Sequence, residues 1–358
     1  MTVCFMIIVN TPGDGAHTFS PLLHAKWHGF TPTDLVFPSF LFAVGNAMSF
    51  GTHRWDTDPT AKTVWRILRR TAIIFLLGFL MYWFPFFRVD DTNHVSLSPF
   101  SHTRIMGVLQ RIALCYGITA LLLYFLKTRM TIIVSIAFLF LYWALLYQFG
   151  DPADPLGMTA NAGSRLDLWL FGESHLYHGE GVPFEPEGLL STLPAIGNVV
   201  GGFVVGKWIQ KMGNTYEGVT KLLLAGVALL VYAYLWNLIF PVNKKLWTSS
   251  FVVLTVGLDC ILIAALTYVT EIEKKMKWTS FFQVFGKNPL SIYLLSELLV
   301  ILFYTIPVGD QSLFTWLYQH TFSHAGYYIG SLLFALSFMF ICWLVGFWME
   351  SKKVYIRV

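Results

Sequence analysis

The chain has 358 residues, of which 56% are hydrophobic, 17% aromatic and only 12% charged, about half the charge of a soluble globular domain. Its 13 Trp, 16 Tyr and 32 Phe need an apolar surrounding, which excludes a disordered chain, a nucleic-acid binder and a secreted disulfide scaffold. A polytopic membrane protein remains, and its formal charge of +4 becomes informative only once distributed over the loops.

Windows of about 20 apolar residues predict spans near 1–9, 33–51, 66–85, 105–126, 130–148, 189–206, 218–239, 247–270, 280–305 and 327–349. The expected fold is an all-α polytopic membrane protein of about ten transmembrane helices, in a single domain over 1–358. Nine residues of helix rise only about 14 Å, roughly half of a bilayer core, so the first span reads as truncated at its cytoplasmic end. Cys4, Cys115, Cys260 and Cys342 each stand in an apolar run and are expected to be free thiols, with neither disulfide nor metal.

Lys and Arg collect on the cytoplasmic side of a membrane protein. Seventeen of the 24 fall on one side, in loops running from Arg54, Lys62, Arg66, Arg69 and Arg70 to the tail Lys352, Lys353 and Arg357. Six fall on the other (Lys26, Arg88, Arg104, Arg165, Lys244, Lys245), and Arg111 lies within a span. Both termini are therefore expected to be cytoplasmic, with 10–32, 86–104, 150–188, 240–246 and 306–326 facing outward. The segment 150–188 is the longest outer loop and an expected substrate-facing surface.

Ionisable groups at membrane depth mark function by default. Arg111 and Glu297 lie about 10 and 12 Å below the outer ends of their spans, a shared depth that predicts an ion pair, either as a structural bolt or as part of a site. Asp259 falls near the midplane with no evident partner. Gly286-Lys287-Asn288-Pro289 interrupts an apolar run and predicts a kinked or broken helix, whose Ser291, Ser296 and Glu297 form a polar stripe. In the first outer segment, Thr31-Pro32-Thr33-Asp34 reads as a helix start with Asp34 closing a capping box. That segment also holds His17, His24 and His28. Glu173, His175 and His178 match no strong ligand spacing, so no metal is expected. Asn243 to Phe251 places Lys244, Lys245 and Trp247 at the outer interface, as membrane anchors or as a grip on an anionic or hydroxylated ligand.

The loop PLLHAKWHGFTPTDLVFPSFLFAVG, with RIMGVLQRIALCY, EGLLSTLPAI, NKKLWTSSF and GKNPLSIYLLSE further along, resembles the heparan-alpha-glucosaminide N-acetyltransferase family, including its bacterial members. The resemblance runs through the whole chain. It implies acetyl transfer across the membrane, from cytoplasmic acetyl-CoA as donor substrate to an amino sugar of glucosamine type on the outer face. It also implies that His24 is the active histidine and Asn10 its partner at the end of the first span. His24 would act as base near neutral pH or as a transient acetyl-imidazole, and Asn10 as an oxyanion donor. On this reading the donor's arm passes Arg111, Lys287, Asn288, Ser291 and Glu297, with Arg66, Arg69, Arg70 and Lys287 near its phosphates. The acceptor meets Asp34, Asp167, His175, Glu187, Lys245 and Trp247. The expected location is a bacterial inner membrane, as monomer or homodimer. The alternative reading is an amino-sugar transporter built on the same polar cavity and broken helix, for which His24 is dispensable.

Overall fold

The computed structural model describes residues 1–55, 58–89 and 95–356. Arg357 of the cytoplasmic charge set lies outside the described residues. The chain runs through α1 (Thr2–Asn10), α2 (Val36–Gly51), α3 (Thr60–Trp83), α4 (Val108–Phe149), α5 (Ala162–Phe171) and α6 (Thr192–Met212). It continues through α7 (Tyr216–Asn237), α8 (Ser249–Thr267), α9 (Thr279–Lys287), α10 (Pro289–Thr305), α11 (Leu313–Thr321) and α12 (Tyr327–Ser351). Two short antiparallel hairpins, Phe87–Val89 with Val95–Leu97 and Pro307–Val308 with Gln311–Ser312, are the strands among the described residues.

Among the described residues, six helical stretches are long and apolar enough to cross a bilayer: Pro32–Gly51, Val108–Phe149, Thr192–Met212, Tyr216–Asn237, Ser249–Ile272 and Tyr327–Ser351. The pair α9 and α10 adds a seventh if it forms one span, bent by 84°. That bend falls at Asn288-Pro289, where Pro removes a backbone donor and the sequence predicted a break. The 42 residues of α4 rise about 63 Å, twice a bilayer core. The helix is interrupted at Lys127, whose φ of 60° is non-helical, so its two arms correspond to the separate spans expected over 105–126 and 130–148. The nine residues of α1 fall short of a crossing, and the first half of α3 carries Lys62, Arg66, Arg69 and Arg70.

With no water to exclude inside a bilayer, helices associate by close approach at small residues. A methyl group added at Gly45 of α2 would collide with the Val199 carbonyl of α6, and one added at Gly202 of α6 with the Phe42 carbonyl of α2. The two backbones touch, and α2 becomes the central post of the bundle. Around it the main core gathers Leu41, Leu109, Ile112, Val199, Phe203 and Phe251. A second core binds α1 to α9, α10 and α12 through Val3, Ile7, Phe285, Ile292, Phe338 and Cys342.

This contact gives a direct test. Gly202→Leu is expected to destabilise the detergent-purified protein by about 1–3 kcal/mol or more, a fall of several degrees in Tm. Gly51→Ala, at a position with nothing within 4 Å of the added carbon, should leave Tm unchanged; equal melting of the two variants would contradict the α2–α6 contact.

Candidate functional site

The N-terminal end of α2 is organised by one carboxylate. Asp34 is fully buried and closes the predicted capping box with Thr31. Its Oδ2 accepts from the Thr31 amide at 3.0 Å, the Ala25 amide at 3.1 Å and the Thr31 hydroxyl at 3.1 Å. The other oxygen, Oδ1, lies 2.7 Å from His24 Nδ1. An ionised carboxylate only accepts, so Nδ1 carries the proton and Nε2 keeps its lone pair. His24 is 42% exposed. Sequence reasoning placed Asp34 as a cap or a substrate contact; in the fold it is the cap and the partner that orients His24.

Lys244, which sequence reasoning passed over in favour of its neighbour, completes the group. Its Nζ is 3.1 Å from both ring nitrogens of His24 and 3.9 Å from Asp34 Oδ1. Burial holds its pKa below the usual lysine range, against the pull of Asp34 and Glu187. The turn that presents it is rigid: the Leu246 amide donates to Asn243 Oδ1 at 2.9 Å, the Asn243 amide to Thr248 Oγ1 at 3.0 Å, and the Tyr142 hydroxyl to the Leu246 carbonyl at 2.5 Å. Lys245 is engaged elsewhere, pairing with Glu180 at 2.7 Å and donating to the Lys26 carbonyl at 2.9 Å. It ties the long outer loop to the first one and does not point at His24.

Other expectations need correction. Trp247 is fully buried, because its left-handed φ of 55° turns the ring inward. There its Nε1 donates to Asn198 Oδ1 at 3.1 Å, so it is not open to stack on a sugar. Arg111 is not paired with Glu297. Its guanidinium lies 4.8 Å over the Trp247 ring and donates to the Gly188 carbonyl at 3.1 Å and to the Ser191 hydroxyl, partners that suit a planar cation. Glu297 instead accepts from Asn10 Nδ2 at 3.3 Å, which joins two expected site residues to each other. Asp259 does have a partner, the Ser39 hydroxyl of α2.

In the outer loops, Asp167 is buried and accepts from the Leu189 amide at 3.0 Å; burial pushes its pKa up to about 7. It braces the turn before α6 and is not a free ligand. His175 hydrogen-bonds the Thr103 carbonyl at 2.7 Å through Nδ1. Glu187 belongs to a buried cluster centred on Arg104, the first residue of the RIMGVLQRIALCY motif, for which the sequence offered no partner. Arg104 Nη2 donates to Glu187 Oε2 at 2.6 Å, its Nε to Glu185 Oε2 at 2.9 Å, and its Nη1 to the Tyr82 hydroxyl at 3.2 Å. Its Cζ lies 4.9 and 4.8 Å from the ring centroids of Tyr82 and Tyr177. Burial opposes ionisation of Glu187, but Arg104, Arg111 and Lys244 outweigh it and hold its pKa below the usual range. Glu187 thereby connects this cluster electrostatically to Lys244.

At the opposite end of α2 a cavity of about 930 Å³ opens between α1, α2, α3 and the α9–α10 break, lined by Arg66, Arg69, Arg70, Tyr116, Gly286 and Pro289 among others. The bend predicted at Pro289 contributes directly to this wall. Lys287 pairs with Glu350. Asn288 holds the tail, donating to the Val354 carbonyl at 3.0 Å and accepting from the Ile356 amide at 3.0 Å. These two expected donor-binding residues serve the C-terminal segment, and Ser291 is half-buried on α10. Among the described residues no group of three or more His, Cys, Asp or Glu could hold a metal ion.

No family model matches the sequence. The chain is 25% identical over 361 residues to the heparan-alpha-glucosaminide N-acetyltransferase of Mus musculus, covering 84% of this chain and 52% of that protein. It is 25% identical over 355 residues to the enzyme of the same name from Homo sapiens, covering 82% of this chain and 50% of that one. The chain thus spans about half the length of the curated relatives it matches, and the resemblance read from its motifs is a distant family relationship.

Asp167 supplies a pH test. Unfolded, it loses its proton near pH 4; folded, it keeps it to about 7. Between those values the folded state holds more protons, so this group lowers stability as pH rises. Asp167→Asn is expected to remove that loss: its Tm should gain on the native protein from pH 4 to 7 and stay ahead at pH 8. Parallel Tm curves would exclude the assignment.

Proposed function

We propose that this protein transfers an acetyl group from cytoplasmic acetyl-CoA to the amine of an amino sugar of glucosamine type on the outer face, using His24 as base or as transient acetyl carrier. The observation that carries the reading is the His24–Asp34 pair at 2.7 Å on one end of α2, with an arginine-lined cavity at the other. Distant relatedness to N-acetyltransferases supports the reaction class.

The chemistry needs both ends. The donor's phosphates and adenine stay in the cytoplasm, where Arg66, Arg69 and Arg70 face a cavity large enough to admit a charged chain. Of these, Arg70 is stacked over Tyr116 at 4.7 Å and Arg66 reaches Asp58. The 16 residues of α2 rise about 24 Å, the depth an acetyl thioester on a flexible arm has to traverse. At the outer end Asp34 holds the His24 Nδ1 proton and stabilises the imidazolium, so Nε2 can take the proton of the attacking amine. The acetyl-histidine route uses the same nitrogen as nucleophile. Asn10 spends one amide hydrogen on Glu297 and has a second to give to the thioester oxygen as negative charge develops. We place the enzyme in a bacterial inner membrane, following the resemblance to bacterial members.

The test is radiolabelled acetyl transfer from acetyl-CoA to glucosamine by purified protein in detergent. His24→Ala should abolish transfer and Asp34→Asn should lower it by about 10²–10⁴-fold. Arg66→Ala, Arg69→Ala and Arg70→Ala together should raise the KM for acetyl-CoA with kcat largely kept. If no protein transfers, yet sealed vesicles accumulate labelled glucosamine without acetyl-CoA, a carrier replaces the enzyme.

A further inference from the structure

Lys244 holds a position that needs its own explanation. A lysine that merely balanced Asp34 would sit closest to the carboxylate, but its Nζ is 3.9 Å from Asp34 Oδ1 and 3.1 Å from each ring nitrogen of His24, Nδ1 as well as Nε2. That is the separation at which a general base takes a proton from an amine. The side chain is only 18% exposed and is fixed by the Asn243–Thr248 turn, so the approach is built and not sampled by a loose surface chain. Among the described residues, Lys244 is the amine placed on the histidine that is to activate an amine.

Resting on the acetyltransferase reading, we propose that Lys244 occupies the seat of the acceptor's amine on His24, and that an acetyl thioester supplied without an amino sugar acetylates Lys244 itself. In the direct route Nζ, as free amine, forms a bond to the acetyl carbonyl carbon. The carbon–sulfur bond breaks, and the sulfur leaves with the bonding pair. The proton lost from nitrogen passes through His24 Nε2 to the thiolate, so one acetamide and one coenzyme A thiol result. If His24 carries the acetyl group first, the carbon–sulfur bond breaks in that step and the sulfur leaves as thiolate; attack by Nζ then breaks the carbon–imidazole bond, Nε2 takes up the amine's proton and passes it to the thiolate, and the imidazole returns to its basic form. The sum is the same.

Two features support the step. Burial shifts Lys244 toward the neutral form that attacks, and its immediate neighbour is withheld from the reaction. Lys245 is committed to Glu180 and the Lys26 carbonyl, which makes it an internal standard one residue away. Acetylation would remove the positive charge facing Asp34 and Glu187 and leave an uncharged amide against Nε2. The acceptor's seat would then be filled, and idle enzyme with donor but no sugar would silence itself.

The experiment incubates the purified full chain with acetyl-CoA alone, treats it with hydroxylamine to strip imidazole-linked acetyl, and maps acetylated lysines by peptide mass spectrometry over time. Glucosamine acetylation is followed in parallel samples. Lys244 should gain one acetyl group at least about 10²-fold faster in native protein than in His24→Ala or His24→Asn. Lys245 should label slowly and equally in all three, and added glucosamine should protect Lys244. Two variants, each checked for a monodisperse elution profile, guard against misfolding. Glucosamine acetylated by a protein whose Lys244 stays bare, or labels as fast without His24, overturns the Lys244 proposal and leaves the function standing. Loss of both products overturns both.

Discussion

The whole arrangement depends on Asp34, a carboxylate buried at a helix start. Three donors converge on its Oδ2 from Ala25 and Thr31, closing the loop that carries His24, while Oδ1 fixes the imidazole. Burying an ionised carboxylate is costly unless its lone pairs are filled, and here the groups that fill them are the loop's own amide and hydroxyl donors and the His24 imidazole. One carboxylate therefore sets both the loop and the ring. Any arrangement that relaxes the loop also releases the histidine, and the helix that Asp34 begins is the one packed backbone to backbone against α6 through Gly45 and Gly202.

Further charges lie at this end of the bundle. Arg104 sits between Glu185 and Glu187, and Arg111 lies over Trp247. Lys244 feels both Asp34 and Glu187. Charges in such surroundings are tolerated when each is paired and hydrogen-bonded. The pairings also bind distant parts of the chain: Arg104 joins the segment before α4 to that before α6, and Lys245 joins the first outer loop to the long one. These ties hold the segments before α4 and α6 together and the first loop to the long one.

Much of this was legible in the sequence, and what was not has a common cause. Hydropathy places residues at a depth, and the break at Pro289 and the capping box at Thr31 and Asp34 are local events that local residues determine. The direction in which a side chain faces around the bundle is set by tertiary packing. Arg111 and Glu297 share a depth but point to different neighbours, Trp247 and Asn10. Lys244 and Lys245 are chemically identical and adjacent, and only the fold of the Asn243–Thr248 turn sends one to His24 and the other to Glu180. The inward Trp247 follows from the left-handed φ in that same turn, which no periodicity announces. Histidine and asparagine were singled out through family likeness, since composition gives one outer histidine no advantage over His17 or His28. The structure separates His17 from His24 by the burial of the partner: His17 pairs with the half-exposed Asp14 at 2.6 Å and stacks on Tyr327 at 4.7 Å, while His24 meets the buried Asp34.

The two faces of α2 do different work. Phe42, Gly45 and Ser49 lie against α6, each three or four residues from the next and so on one helical stripe. Phe40, Ala43, Val44, Ala47 and Gly51 form a second stripe, which lines the arginine-rich cavity together with α1, α3 and the α9–α10 break. The sealed side is the one where backbones touch, and small side chains there serve packing. On the cavity side, small side chains leave the cavity its width, from Arg66, Arg69 and Arg70 along Ala43 and Ala47 to Pro289. A post that is closed on one face and open on the other can hold the bundle together and still border a cavity.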